Sequence, residues 1–176
     1  MILSLLRAVL MVGVFANPHA PSAGPAASVA EWRSHFGAWA INSSPLVLSF
    51  DLTNATTMDA VWPFISNSAA IRVNQEWAGH PGREVSAAAA ADGVSVWAKP
   101  LLNDRLAVLA VSMQRTGSVD ATLNLTAIDA TLPCLQKGCA VVDVWANRTS
   151  GSRTAADGSF AAGKLEPHDS AFFIFG

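Results

Sequence analysis

Val94-Ser95-Val96-Trp97-Ala98-Lys99-Pro100-Leu101-Leu102-Asn103-Asp104-Arg105-Leu106-Ala107-Val108-Leu109-Ala110-Val111-Ser112-Met113 is the stretch that decides the fold. Two β-rich runs, Val94–Ala98 and Arg105–Met113, stand here on either side of turn residues, with no helical periodicity between them. The same grammar continues downstream in Val119–Leu125, Ala140–Trp145 and Ala171–Phe175. Several short strands with polar or Gly-containing connections predict an antiparallel β-sandwich for residues 83–176. The Ala87–Ala91 run favours helix by propensity alone. It is short and leads into the turn signal Asp92-Gly93, so it reads as strand or connector.

Upstream of about Gly82 the pattern differs. Ser28-Val29-Ala30-Glu31 is a capping box, in which a hydroxyl accepts from an early helix N–H and Glu31 reaches back. Val29, Trp32, Phe36 and Trp39 follow at helical spacing and predict one apolar stripe, with Arg33 and Ser34 pointing elsewhere. Pro45 stops this helix, and Leu46–Phe50 is a nearly continuous apolar run of the kind that forms a strand buried on both faces. Thr56-Thr57-Met58-Asp59 supplies a second capping pattern. Helix, buried strand, helix is α/β grammar, but one strand cannot close a barrel. Residues 28–82 therefore read as a piece of something larger.

Composition narrows the function classes. A chain of 176 residues with 51% hydrophobic and 14% charged residues has ample apolar surface for a packed core, which excludes a disordered protein. With 11 Lys+Arg against 13 Asp+Glu there is no basic stripe for a phosphate backbone, so no nucleic-acid partner is expected. Met1–Ala20 combines one positive charge, an apolar run and then small residues and prolines, the pattern of a cleaved signal. The run is shorter than the roughly 20 residues of a spanning helix, so no membrane span is expected. Pro, Ala, Gly and Ser then form a linker, which completes the 1–27 segment.

Four N-x-S/T sequons, at Asn42, Asn54, Asn124 and Asn147, suit passage through a glycosylating compartment. Cys134 and Cys139 either close a tight turn as a disulfide, which the secretory reading favours, or remain two free thiols. Zinc needs more ligands nearby than these two. His19, His35, His80 and His168 form no ligand spacing, so no metal and no cofactor are expected.

The segment Glu31-Trp32-Arg33-Ser34-His35-Phe36-Gly37-Ala38-Trp39-Ala40, with Ser44-Pro45-Leu46 and Asp51-Leu52, resembles the last barrel repeats of the α-galactosidase (melibiase) family of glycoside hydrolases. Ile71-Arg72-Val73-Asn74-Gln75-Glu76 looks like the segment that leads out of that barrel, and Val96–Leu101 like the first strand of the C-terminal β domain. Looser echoes lie in Val142–Trp145 and Pro167–Ser170. The resemblance implies a fold class of α/β remnant, the last repeats of a (β/α)₈ barrel, followed by the antiparallel β-sandwich. It also implies a retaining hydrolase that removes terminal non-reducing α-D-galactose, using two aspartates on earlier barrel strands. Those strands are not in this chain, so no catalytic residue is assigned and an N-terminal barrel portion is the missing partner. The stretch Ala8–Gly13 keeps the apolar flavour of a barrel segment without its carboxylate, so residues 1–27 read either as a signal or as a degraded strand. The implied location is secreted or within an endomembrane lumen of vacuolar or lysosomal type. Sugar specificity stays open among α-galactosides, α-N-acetylgalactosaminides and β-arabinopyranosides.

Among candidate site residues, Asp51 sits where barrel enzymes place functional groups, at the carboxyl end of the expected strand. The competing reading, that it orients the following loop, is preferred. His35 reads as a helix-surface or interface residue, since no nucleophile or paired carboxylate stands near it in sequence. Trp97 and Trp145 read as sandwich core ahead of a sugar-stacking platform. Trp62 and Trp77 are undecided. The competing function is a non-catalytic sugar-binding or interaction module.

Overall fold

The computed structural model describes residues 28–48, 50–85, 92–154 and 157–176, with the side chains of residues 150–153 left out. The signal and linker readings of residues 1–27, and the whole Ala87–Ala91 run, lie outside these residues.

Three helices come first: α1 (Val29–Ile41), α2 (Ala55–Ile65) and α3 (Ser68–Gln75). The strands follow as β1 (Arg83–Glu84), β2 (Val94–Leu101), β3 (Arg105–Ser112) and β4 (Val119–Asn124). A short helix α4 (Leu125–Ile128) and a 3₁₀ turn (Pro133–Lys137) lead to β5 (Ala140–Asp143), β6 (Arg148–Arg153), β7 (Ser159–Leu165) and β8 (Ser170–Phe175). A six-stranded sheet of order β1-β2-β3-β8-β5-β6 faces a two-stranded sheet of β4 and β7, and every pairing is antiparallel.

β3 and β8 form the centre of the large sheet and are buried on both faces, which explains their unbroken apolar sequence. Side chains alternate along a strand. Leu106, Val108, Ala110, Phe173 and Phe175 therefore enter the sandwich interior with Leu123, Leu125, Val141 and Phe160. Ala107, Leu109, Phe172 and Ile174 face the other way, into a second core with Phe36, Ala40, Ile41, Phe64 and Val73 of the helices. The molecule is thus three layers: helices, large sheet, small sheet. β4 buries only Ala121 and Leu123 in alternation, as befits a sheet with one wet face. Pro100 is accommodated because β1 pairs with β2 only as far as Ala98, leaving an open edge beyond it.

The capping box forms as read: Glu31 N–H donates to Ser28 Oγ at 3.2 Å, and Ser28 N–H donates to Glu31 Oε2 at 2.6 Å. Two helix readings need correction. The buried face of α1 consists of Ser34, His35, Phe36, Gly37, Ala40 and Ile41, whereas Val29 is exposed and Trp32 and Trp39 are half-buried. Small residues let the helix approach the sheet closely: a Cβ on Gly37 would stand 2.9 Å from Leu109 Cδ1. The second helix is capped by Asn54, whose side chain accepts from Thr57 N–H at 3.0 Å, rather than by the Thr56–Asp59 pattern.

Among the described residues of 28–82 there are helices and no strand. The expected strand at Leu46–Phe50 is not formed over 44–48, and Val47 and Leu48 are 62% and 41% exposed. A strand buried on both faces needs hydrogen-bonding neighbours on both edges, and none adjoins this run. The barrel-repeat reading of this region is thereby not confirmed. The expected Ala140–Trp145 strand ends at Asp143, whose carboxylate accepts from Ala146 N–H at 3.0 Å and opens a turn. No helix of the described residues is long and apolar enough to cross a membrane.

Candidate functional site

The polar chemistry of the chain gathers where the helices meet the large sheet. β2 alternates Val96 and Ala98 into the sandwich and Trp97, Lys99 and Leu101 toward the helices, so Lys99 is fully buried. Its ammonium donates to the Val73 carbonyl, to the Asn74 carbonyl at 3.4 Å and to Ser43 Oγ at 2.7 Å. These carbonyls belong to the last turn of α3, where the helix leaves acceptors unpaired and the dipole favours a cation. Burial pushes the Lys99 pKa down, and the nearby Glu76 carboxylate partly opposes that.

Neighbouring groups complete the clasp. Asn74 Nδ2 donates to the carbonyls of Trp39 at 3.1 Å and Ser44 at 2.8 Å. Glu76, the C-cap of α3, accepts two bonds from Arg105 Nη2 at 2.8 and 3.0 Å and one from Leu102 N–H at 2.6 Å. Asn67 caps α3 by accepting from Ala69 and Ala70 N–H, while its amide nitrogen donates to the Val144 carbonyl at 2.8 Å. Arg33 pairs with Asp169, and Ser34 Oγ donates to the His168 carbonyl at 2.6 Å. Gly82 N–H donates to the Ile41 carbonyl at 2.8 Å, and a Cβ there would lie 2.5 Å from that oxygen.

Retaining glycoside hydrolysis requires two carboxylates about 5–5.5 Å apart, one of them free to attack. All 13 acidic residues lie within the described residues. The half-buried ones are engaged in structure: Glu31 in the capping box, Glu76 and Asp169 in ion pairs, Asp129 and Asp143 in turns. Asp59, Glu84, Asp92, Asp104, Asp120, Asp157 and Glu166 are exposed. Asp51 is exposed too, and its Oδ1 accepts from Thr53 N–H at 2.9 Å and Thr53 Oγ1 at 2.7 Å, organising the loop before α2.

The other predicted residues are placed as follows. Cys134 and Cys139 form a disulfide, and Cys139 N–H donates to Thr154 Oγ1 at 2.9 Å. Asn42 follows α1 with Nδ2 donating to the Ala38 carbonyl at 3.0 Å. Asn54 and Asn124 cap α2 and α4, and Asn147 sits in a left-handed turn at φ 51°. Asn124 and Asn147 are exposed, whereas Asn42 and Asn54 are half-buried. His35 is buried on the sheet-facing side of α1 with its ring 4.7 Å from that of Trp39, which settles between its surface and interface readings in favour of the interface. Trp97 and Trp145 are half-buried against the helix-side core, with Trp145 edge-on to Phe172 at 5.4 Å. Trp62 and Trp77 are exposed, 57% and 55%. Among the described residues no group of three His, Cys, Asp or Glu could hold a metal.

Sequence reasoning assigned no role to Lys99, Asn67 or Arg105. A signal for Lys99 existed: it occupies an inward phase of an alternating strand between Trp97 and Leu101. The quoted segments Ile71–Glu76 and Val96–Leu101 meet at this clasp, so their resemblance marks a structural joint.

Comparison with known proteins agrees with that architecture. Residues 91–175 match the family described as the alpha galactosidase C-terminal beta sandwich domain. The chain is 35% identical over 149 residues to an α-galactosidase of Oryza sativa subsp. japonica, covering 84% of this chain and 32% of that protein. It is 34% identical over 148 residues to one of Coffea arabica, covering 82% and 35% respectively. In structure it resembles α-galactosidase I of Mortierella vinacea, with TM-score 0.68 and 21% identity, over 88% of this chain and 37% of that one. The chain spans about a third of the length of the curated relatives it matches. Its sandwich, and the likeness to α-galactosidases over most of its length, make this chain a member of the α-galactosidase family through the C-terminal portion of that family's fold.

Proposed function

We propose that this chain is the C-terminal portion of a glycoside hydrolase that removes terminal non-reducing α-D-galactose, and that alone it does not turn over substrate. The observation that carries this reading is the pairing of two facts. The family likeness covers the sandwich and its helical approach, while each half-buried carboxylate is held in a cap, a turn or an ion pair. Hydrolysis by the retaining route would then depend on aspartates supplied by a barrel portion outside this chain. The role of the chain itself is architectural, with residues 28–82 as a helical collar and 83–176 as the sandwich it is clasped to. No cofactor enters this chemistry.

The disulfide and four sequons support maturation in a secretory or lumenal compartment of vacuolar or lysosomal type. Glycans on Asn124 and Asn147 would project from exposed positions.

The test is an assay of the purified chain with a chromogenic α-galactoside. Release of chromophore indistinguishable from the blank is expected. Sustained turnover, abolished by replacing a carboxylate of this chain, would overturn the reading.

A further inference from the structure

A groove of about 250 Å³ runs between α3 and the large sheet, beside the Lys99 clasp and sharing its Glu76–Arg105 pair. One helix face lines it, with Ala69, Arg72, Val73 and Glu76 recurring at the spacing of a single stripe. Across from them stand Val142 of β5, Ile174 of β8, the turn residue Asn147, and Arg148 and Thr149 at the start of β6. The floor is apolar and the rim is polar. At one end the Glu76 carboxylate already neutralises Arg105, through the two bonds at 2.8 and 3.0 Å. Arg72 and Arg148 have no ion pair or side-chain hydrogen bond among the described residues, so two positive charges face this groove in a chain of net charge -2. Asn147 stands at the groove's mouth, where its oxygen accepts from Ser68 Oγ at 3.2 Å.

We propose that this groove binds a carboxylate-bearing monosaccharide unit, a uronate. Guanidinium groups match a carboxylate in planar, charge-assisted pairs. The apolar floor suits the C–H face of a sugar ring, and Thr149 suits one of its hydroxyls. The volume falls below the roughly 300–1,000 Å³ of pockets for drug-sized ligands, which leaves room for one ring. The site is independent of the catalytic reading, since it needs neither a barrel nor a carboxylate nucleophile.

The experiment is a ¹H–¹⁵N chemical-shift titration of the full chain, produced without N-glycans because a glycan on Asn147 would stand at the groove's mouth. Galacturonate is the probe, with galactose, acetate and inorganic phosphate as comparisons at matched ionic strength. Saturable shifts confined to residues 69–76 and 147–149 are expected, with galacturonate binding at least about tenfold tighter than each comparison. In an Arg72→Ala/Arg148→Ala variant, whose exposed positions leave the spectrum otherwise unchanged, binding falls by at least about tenfold. Absence of saturable shifts, undiminished binding in the variant, or an equal response to acetate or phosphate would each overturn the proposal.

Discussion

The two faces of the six-stranded sheet are closed by different chemistry. Toward β4 and β7 the seal is apolar: Phe160 packs edge-on against Phe173 at 5.0 Å and Phe175 at 5.3 Å, over Leu123, Leu125 and Val141. Toward the helices there is also an apolar layer, but directional polar groups ring it: Lys99 under α3, Asn67 and Asn74 on backbone carbonyls, Glu76 on Arg105, Arg33 on Asp169. Apolar burial favours contact without dictating orientation. Fixed donors and acceptors dictate it, because an unpartnered buried polar group costs more than the bond returns. The sandwich interior thus holds the fold together, and the clasp sets where the helices sit on it.

The largest effect is expected from testing whether these two faces form one cooperative unit. Phe172 is fully buried on the helix side and its chain neighbour Phe173 points to the sandwich interior. Either residue changed to Ala should cost about 3–5 kcal/mol. Urea unfolding of Phe172→Ala, followed by far-UV circular dichroism and tryptophan fluorescence, should give one coincident transition at lower denaturant. If the helical signal were lost first while the sheet persisted, the comparison would become one of two separable domains.

The same contrast governs how much could be read in advance. β3 and β8 were legible because burial on both faces leaves a continuous apolar signature, and the α1 start because Ser28 and Glu31 form a local box. β6, reading Arg148-Thr149-Ser150-Gly151-Ser152-Arg153, and β7, with Ala161-Ala162-Gly163, carry little β signal. β6 is placed by its hairpin with β5, closed between Asp143 and Arg148, and β7 by β4, which lies far off in sequence. Leu46–Phe50 shows the opposite case: a strong local pattern with no neighbouring strand to answer it among the described residues. The clasp was half legible. The segments that build it stood out, but a lysine pointing at a helix end is a tertiary fact, and Asp51 was weighed for chemistry while Glu76 and Lys99 were not. The buried face of α1 was misread because the close approach at Gly37 rotates it away from the large-residue stripe, and this rotation puts His35 at the interface.

A smaller effect sharpens the comparison from the sandwich side. Cys134 and Cys139 close a ring of six residues beside β5, and losing that constraint on the unfolded chain is worth about 2 kcal/mol on the loop-entropy model. Replacing both with Ala should lower stability by that amount in denaturant titration. Native-state hydrogen exchange should quicken around residues 133–139, with α1 to α3 responding only through the global term. Selective loosening of the helices would show that the two faces are coupled through β5 more tightly than their contacts suggest.

The smallest effect, and the one most specific to the clasp, is its pH dependence. Burial holds the folded Lys99 pKa below the ordinary lysine range near 10.4, with Glu76 opposing. Below the folded pKa both states carry the proton and the penalty of burying the charge is fully present. As pH rises from there toward the ordinary range, the unfolded chain binds more protons than the folded one, so stability rises, by at most about 1.4 kcal/mol per pH unit for one proton. Neither phenol nor thiol titrates in this window, since the chain has no Tyr and both cysteines are in the disulfide. Lys99→Met removes the charge and should flatten the alkaline slope relative to the parent chain. It also leaves the Val73 and Asn74 carbonyls without their donor, so its stability at neutral pH reports the balance between relieved desolvation and lost hydrogen bonds. A parent profile that falls through this window, or one whose slope survives the substitution, would mean that the ammonium is solvated in the folded state and that the helices are held by the apolar layer alone.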